Sequence, residues 1–449
     1  MKIKNNSFYL VSLGCAKNTV DSESMGSLLQ QGGYRAVEKP ENAEVLIVNT
    51  CGFIQQARDE SIEVLQELAG AKKKGQLLIA AGCLPERYRN FISEKVSGID
   101  GYIGTRRWMD ILDLVSDLHS SHEGPRYAVP ETETVGKDER GILRVAVQGA
   151  SSYLKIADGC RHLCAFCSIP LIKGTTVSRP LETIVKEATL LQGLGIKELI
   201  LIAQDTTDYG TDLGMKDGLS DLLDKMLPQI PDLPWIRLLY AYPGLISDRL
   251  IDTMANHRQM LHYLDIPLQH ASPRLLKSMK RPANMDWVYS TIAKMRKAMP
   301  DLALRTTFIT GYPGETEQDF QILIDFVKEI QFDHFGVFPF SFEPGTSSEP
   351  LGDPIPAEVK QERVARLMQV QEAISLHINQ GWIGKSLDVL VEGENEGISV
   401  GRSFRDAPEI DGLVIIEDRV PVGEIVPVQI TGALTHDLLA KAVKKNRSI

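Results

Sequence analysis

Ser152-Tyr153-Leu154-Lys155-Ile156-Ala157-Asp158-Gly159-Cys160-Arg161-His162-Leu163-Cys164-Ala165-Phe166-Cys167 is an apolar segment running into three closely spaced cysteines. Tyr153–Ala157 predicts a buried strand, which puts the C-x3-C-x2-C run on the loop at its carboxyl end. Three thiolates at this spacing can hold three irons of a four-iron, four-sulfide cluster, whose usual complement is four cysteines. The uncommitted iron is then open to a ligand. A zinc site made of Cys160, Cys164, Cys167 and His162 is the competing reading, but the run has no matching second ligand pair. His162 otherwise reads as a surface or supporting residue.

Downstream, strand and helix alternate to about Pro344. Six strands are predicted: Tyr153–Ala157, Glu198–Ala203, Trp235–Ala241, Tyr263–Pro267, Ala303–Thr310 and Phe335–Phe340. Six units are too few for a closed eightfold barrel, so an open, partial barrel is expected, with its site at the strand carboxyl ends. Upstream, residues 1 to about 125 predict a parallel α/β sheet with apolar strands Phe8–Leu13, Val45–Val48 and Leu77–Ala81. Cys15, Cys51 and Cys83 each come directly after one of these strands. Carboxyl ends of parallel strands share one rim, so the three cysteines would meet in space. The bland alternative is three buried cysteines acting as small hydrophobes.

The stretch 126–141 reads as a linker, and His119 and His122 as solvated. Pro356–Gln380 predicts a long amphipathic helix. Beyond it, Ser386–Glu392, Ile398–Arg402, Leu413–Glu417 and Glu424–Ile430 predict a small all-β barrel. The expected domains are thus 1–125, a linker 126–141, 142–380, and 381–449 with a basic tail (Lys441, Lys444, Lys445, Arg447).

The 449 residues are 43% hydrophobic and 24% charged, ordinary globular usage, with a formal charge of -10. That balance disfavours direct nucleic-acid binding, which needs basic surface. No apolar run reaches the ~18 residues of a membrane span. The polar start Met1-Lys2-Ile3-Lys4-Asn5-Asn6 lacks the apolar core of a signal peptide, so a cytoplasmic protein is expected. Six cysteines are too few for a disulfide scaffold and, clustered in a reducing compartment, point to metal or catalysis.

The C-x3-C-x-aromatic-C run on the first strand of a partial barrel resembles the radical S-adenosylmethionine (SAM) enzymes. That resemblance implies that SAM chelates the open iron and is cleaved, on one-electron reduction, to methionine and a 5′-deoxyadenosyl radical. It puts Phe166 near the adenine. It makes Gln204-Asp205 and the Thr310-Gly311-Tyr312-Pro313-Gly314-Glu315 turn candidate SAM contacts, with Gln204, Asp205, Gly311 and Glu315 as the named residues. The three-part arrangement, ending in a TRAM-like barrel, resembles the methylthiotransferases. This implies a second 4Fe-4S cluster on Cys15, Cys51 and Cys83, and two uses of SAM, one as methyl donor and one as radical source. CH3S then replaces hydrogen on an unactivated carbon, a step that general-base chemistry cannot open. A reductant such as flavodoxin or ferredoxin is implied. No catalytic residue beyond the cluster ligands is assigned.

Members of this family modify either a transfer-RNA adenosine or an aspartate of ribosomal protein S-twelve in the small subunit. The segments Val11–Asn18, Ala203–Gly210, Leu239–Pro243 and Pro267–Ser272 resemble the second branch. Lys173-Gly174-Thr175-Thr176-Val177-Ser178-Arg179 departs from it, lacking the arginine expected before the glycine. Charge argues independently. Residues 382–437 hold four basic and eleven acidic side chains, suited to a basic protein surface and unsuited to phosphate. A merely solubilising acidic face, the transfer-RNA enzyme, and a non-catalytic iron or redox sensor are the readings left open.

Overall fold

The computed structural model describes residues 6–120, 125–129 and 139–443. His122 and the tail residues Lys444, Lys445 and Arg447 lie outside them.

Near the N-terminus, strand Val45–Thr50 is buried along its whole length and lies inside a parallel sheet. Its neighbours are Ser7–Ser12 on one side and Leu77–Gly82 on the other. Alternation divides its side chains between two cores: Val45 and Ile47 face one, Leu46 and Val48 the other. Helices Ala16–Gln31, Gln55–Ala71, Cys83–Lys95 and Ile111–Ser120 join the strands. Three strands escaped the sequence reading. Arg35–Ala36, Gly101–Gly104 and Arg126–Ala128 are too short or too polar to give a periodic signal. The last of these pairs with Gly101–Gly104, so the sheet runs into the stretch read as linker. His119 is also not solvated. Its Nδ1 lies 2.7 Å from the Val115 carbonyl and its Nε2 2.9 Å from Glu44 Oε1.

The central sheet has six parallel strands, Ser151–Lys155, Glu198–Ile202, Trp235–Leu238, Met260–Asp265, Ala303–Thr310 and His334–Pro339. They lie in chain order, and an antiparallel edge strand, Val145–Gln148, precedes them. The sheet is open, as six units require. Helices pack on its outer face around Leu199, Leu201, Leu264 and Leu304. Its inner face is filled from outside the domain, by Ala16 and Val20 of the first helix and Leu390 and Ala407 of the C-terminal barrel. The long helix, Ala357–Gln380, lies along the last strand and covers that edge.

The C-terminal barrel closes with five strands, not four. Ser386–Asn395, Ile398–Ser403, Val414–Ile416, Leu438–Ala442 and Ile425–Ala433 follow one another around it. Leu438–Ala442 was missed as a short segment bordering the tail. A buried triad ties this barrel to the sheet. Glu198 lies 2.7 Å from Arg237 Nε and 2.6 Å from Arg402 Nη2. Burial alone would raise the carboxyl pKa, but the two guanidiniums overcome it and hold it at about 2. A folded pKa below the unfolded value of about 4.3 adds stability above that value and loses it as pH falls through 2. The stabilisation at stake is on the order of 3 kcal/mol. Urea midpoints are therefore expected to fall on acidification, and Glu198→Gln to be destabilised at neutral pH with a flatter acid limb.

Among the described residues, no helix is long and apolar enough to cross a membrane.

Candidate functional site

Cys15 ends the loop after the first strand and caps the helix Ala16–Gln31. Gly14 before it has φ +93, and a Cβ there would lie 2.9 Å from the Cys51 Cβ and 3.2 Å from its Sγ. Glycine is therefore what lets the first two cysteine loops touch. Asn18, one turn into the helix, gathers all three loops. Its Nδ2 donates to the Leu13 carbonyl at 2.9 Å and the Thr50 carbonyl at 3.1 Å, and its Oδ1 accepts from the Cys83 thiol at 3.5 Å. Burial pushes the Cys51 thiol up to about 11 and raises Cys83 further, with Lys173 acting against it. Cys15 moves the other way. This residue is exposed at the surface; crowding by the surrounding protein opposes the shift, but the nearby charges of Lys17 and Lys173 and two backbone amides bring its pKa down.

The second trio sits on the loop after Ser151–Lys155. Gly159 carries φ +75, and a Cβ there would strike the Thr175 carbonyl oxygen at 2.0 Å. The Cys160 amide donates to the Gly174 carbonyl at 3.0 Å, and the Cys167 amide to that of Cys164 at 3.1 Å. Burial pushes Cys160 and Cys167 up to about 12. Buried thiols of this kind lose their protons on binding metal. All six cysteines are free of disulfides.

His162 is committed elsewhere. Its Nε2 lies 2.7 Å from Asp205 Oδ2, and its ring stacks on Tyr242 at 3.6 Å between centroids. Among the described residues, no three His, Cys, Asp or Glu side chains converge on one metal ion. The zinc reading therefore finds no geometry. A cluster asks for a different arrangement, in which each thiolate meets its own iron.

The two trios face each other across a domain interface. Ser168, next to Cys167, donates to the carbonyl of Phe53, two residues from Cys51, at 3.2 Å. Lys173, on the short helix after Cys167, reaches Asp21 of the first helix at 2.9 Å. Arg87 meets Glu343 at 2.8 Å. Residues 240–242 span the gap. Lys17 Nζ lies 3.2 Å over the Tyr240 ring, and Arg281 stacks on Tyr242 at 4.3 Å with its Nη1 3.6 Å from the Cys164 sulfur.

The candidate SAM contacts divide. Phe166 is half-buried against Tyr312, Met279 and Phe340. Asp205 accepts from His162 and from the Thr207 amide at 2.9 Å. Glu315 accepts from His270 at 3.1 Å and Arg363 at 2.8 Å, and also from the Gly311 amide. Both carboxylates therefore already serve the rim itself. Gln204 differs: its Nε2 donates to Asp158 at 3.3 Å, but its Oε1 is buried without a partner. Thr310 Oγ1 and Arg281 Nε are orphaned in the same way. Three unpaired polar atoms around a cysteine loop suit a polar ligand, and the three free thiols suit a cluster beneath it. Lys17, Asn18, Asp21 and Arg281 were not picked out from the sequence. The first three lie, with Ser22 and Ser24, on the buried face of one helix, and a polar buried face was the available signal.

Known proteins match in three pieces. Residues 7–104 match the model of "Uncharacterized protein family UPF0004", residues 154–327 the Radical SAM superfamily, and residues 383–443 the TRAM domain. A ribosomal protein uS12 methylthiotransferase RimO from Chloroflexus aurantiacus is 45% identical, covering 97% of this chain and 99% of that one. One from Roseiflexus is 44% identical over 97% of each. One from Anaeromyxobacter is 43% identical over 98% of this chain and 94% of that one. The fold is similar to that of the radical S-adenosylmethionine methyltransferase TsrM from Kitasatospora setae. Its TM-score is 0.57 at 13% identity, over 88% of this chain and 80% of that one. Cysteine loop, open barrel and matched domain together define a radical SAM enzyme. The chain belongs to the family of ribosomal protein uS12 methylthiotransferase RimO.

Proposed function

We propose that this protein replaces one hydrogen of an aspartate side chain in ribosomal protein uS12 with CH3S. The observation that carries the reading is the meeting of two free-thiol trios across one interface. Cys160, Cys164 and Cys167 would hold the 4Fe-4S cluster that binds SAM, and Cys15, Cys51 and Cys83 the second cluster. Bound there, the two clusters and SAM supply the carbon radical and the methylated sulfur. The chain's residues do the positioning. Arg281, beside Cys164, offers a cation to the carboxylate of SAM, and the orphaned Gln204 Oε1 and Thr310 Oγ1 offer acceptors to its donors. Phe166, packed on Tyr312 and Phe340, lends an aromatic face. Asp205 and Glu315 fix the rim on which these groups stand.

The C-terminal barrel is the proposed docking surface. Arg402 and Arg405 point inward, to Glu198 and Asp333, as do Asp406 and Asp411, and the exposed acids of the barrel still outnumber its exposed bases Lys385, Arg419 and Lys441. A basic ribosomal protein fits it, and RNA does not. Action on a ribosomal protein places the enzyme in the cytoplasm, drawing electrons from a carrier such as flavodoxin or ferredoxin. The working boundaries are those expected from sequence, with strand Arg126–Ala128 joined to the N-terminal unit.

Mass spectrometry of small-subunit proteins from strains with and without the gene tests the function. The expected result is one uS12 aspartate heavier by CH3S less H only when the gene is present. Loss of a methylthio-adenosine from transfer RNA instead would defeat the reading. For docking, uS12 affinity is expected to fall as salt rises and to drop roughly tenfold in the triple variant Asp388→Lys, Glu396→Lys, Glu409→Lys. Isothermal titration checks this.

A further inference from the structure

Nearly every cation buried in the described structure has a carboxylate partner within ion-pair distance; Lys17 and Arg281 do not. Burying a cation without a counter-charge is costly, so two such exceptions in one interface need a reason. They stand at the two ends of the same short segment. Arg281 lies on Tyr242, beside Cys164. Lys17 lies on Tyr240 and two residues from Cys15, and it is only 8% exposed. The one carboxylate whose charge reaches Lys17, Asp265, is committed to Arg305 at 3.0 Å. Tyr240 engages the ammonium through its ring and a hydrogen bond, and with three N–H donors Lys17 can still serve a further acceptor. Tyr240 itself has φ +63, a strained backbone for a tyrosine, and strain of this kind gathers at ligand-holding sites.

We propose that Lys17 binds the side-chain carboxylate of the target aspartate and so places that residue between the two cysteine trios. The proposal rests on the aspartate-modifying function above. Two carboxylates must be held in this interface, that of SAM and that of the substrate, and two cations lie unpaired there. Arg281 adjoins the SAM-binding trio, which leaves Lys17 for the substrate. A reaction that draws on both trios needs its target between them, and a carboxylate is one bond from the carbon to be changed. Lys17 and Lys173 both act on Cys15, and Lys173 acts on Cys83 as well, so a role of Lys17 as counter-charge to the first trio is the rival reading, which iron retention in a Lys17 variant tests. A charged carboxylate then binds Lys17 more strongly than a neutral amide, so the site discriminates aspartate from asparagine.

The test uses the full chain, loaded anaerobically with iron and sulfide and left unreduced. The probes are uS12 and uS12 with its target aspartate changed to asparagine. Wild type is expected to prefer the aspartate form by on the order of tenfold. Lys17→Met is expected to bind both forms equally, with iron content unchanged, and Lys17→Arg to keep most of the preference. Without iron, Lys17→Met serves as the folding control, and its urea midpoint is expected to stay close to that of wild type. Three results would overturn the proposal: a wild type indifferent to the change, a Lys17→Met that keeps the preference, or a Lys17→Met that loses iron from the Cys15 trio. Failure of the wild type to modify uS12 strikes at the function itself. Modification of uS12 alongside an undiminished preference in Lys17→Met strikes only at the role of Lys17.

Discussion

Cys164→Ala is expected to lower bound iron from about eight to about four atoms per chain and to end both 5′-deoxyadenosine release and CH3S transfer. Cys51→Ala is expected to lower iron by the same amount but to leave 5′-deoxyadenosine release in place while ending transfer. The asymmetry follows from position. Cys164 lies on the loop flanked by Arg281 and Tyr242, the side on which SAM is proposed to bind. Cys51 lies across the interface, wedged against Gly14. With the radical and the transferred sulfur drawn from the clusters and SAM as proposed, the losses should reach the uncatalysed background and not a partial rate. Iron analysis, product chromatography and intact-protein mass spectrometry of uS12 separate the two variants. Equal loss of 5′-deoxyadenosine from both would defeat the division of labour.

Asp21→Ala is expected to cost roughly 3–5 kcal/mol, because it removes a buried partner from several cations at once. Asp21 of the first helix meets Lys155 at 2.8 Å and Lys173 at 2.9 Å, and also Arg144. Burial raises its pKa, but these three cations overwhelm that effect and hold the carboxyl far below the usual range. Its contribution is therefore complete above the unfolded value of ~3.9 and is lost only as pH falls well below it. In the variant, Asp158 remains to balance them, 2.5 Å from Lys155, 3.2 Å from Lys173 and 3.7 Å from Arg144, with Glu139 at 4.0 Å from Arg144. The first domain should then separate more readily from the barrel. Limited proteolysis should speed up, and urea midpoints should fall. Asp21→Asn keeps hydrogen-bonding capacity and should lose less. An unchanged midpoint in Asp21→Ala would show that the charges are not what joins the domains.

The layered plan was legible in the sequence because apolar strands reveal themselves locally. Val45–Val48 and Leu77–Ala81 have no other use for four or five consecutive apolar residues. The cysteines were legible because each follows such a strand. What could not be read depends on partners far away in the chain. Asp21 is a buried anion only because residues 144, 155 and 173 surround it. Lys17 is an unpaired cation only because Asp265 is taken by Arg305. Gly101–Gly104 and Leu438–Ala442 became strands through their neighbours' hydrogen bonds rather than their own periodicity. The SAM-contact candidates came from the resemblance to the radical SAM enzymes, which points to their place on the rim. Place alone could not tell Gln204, with an acceptor to spare, from Glu315, engaged by His270 and Arg363.

The inward-facing arginines of the C-terminal barrel have a consequence for what can be a substrate. Because Glu198 grips Arg402 from inside the sheet, the small barrel is bolted on and does not swing as a tether would. For the docking proposed above, it would act as a ruler, holding the grip and the reactive side chain at one set distance.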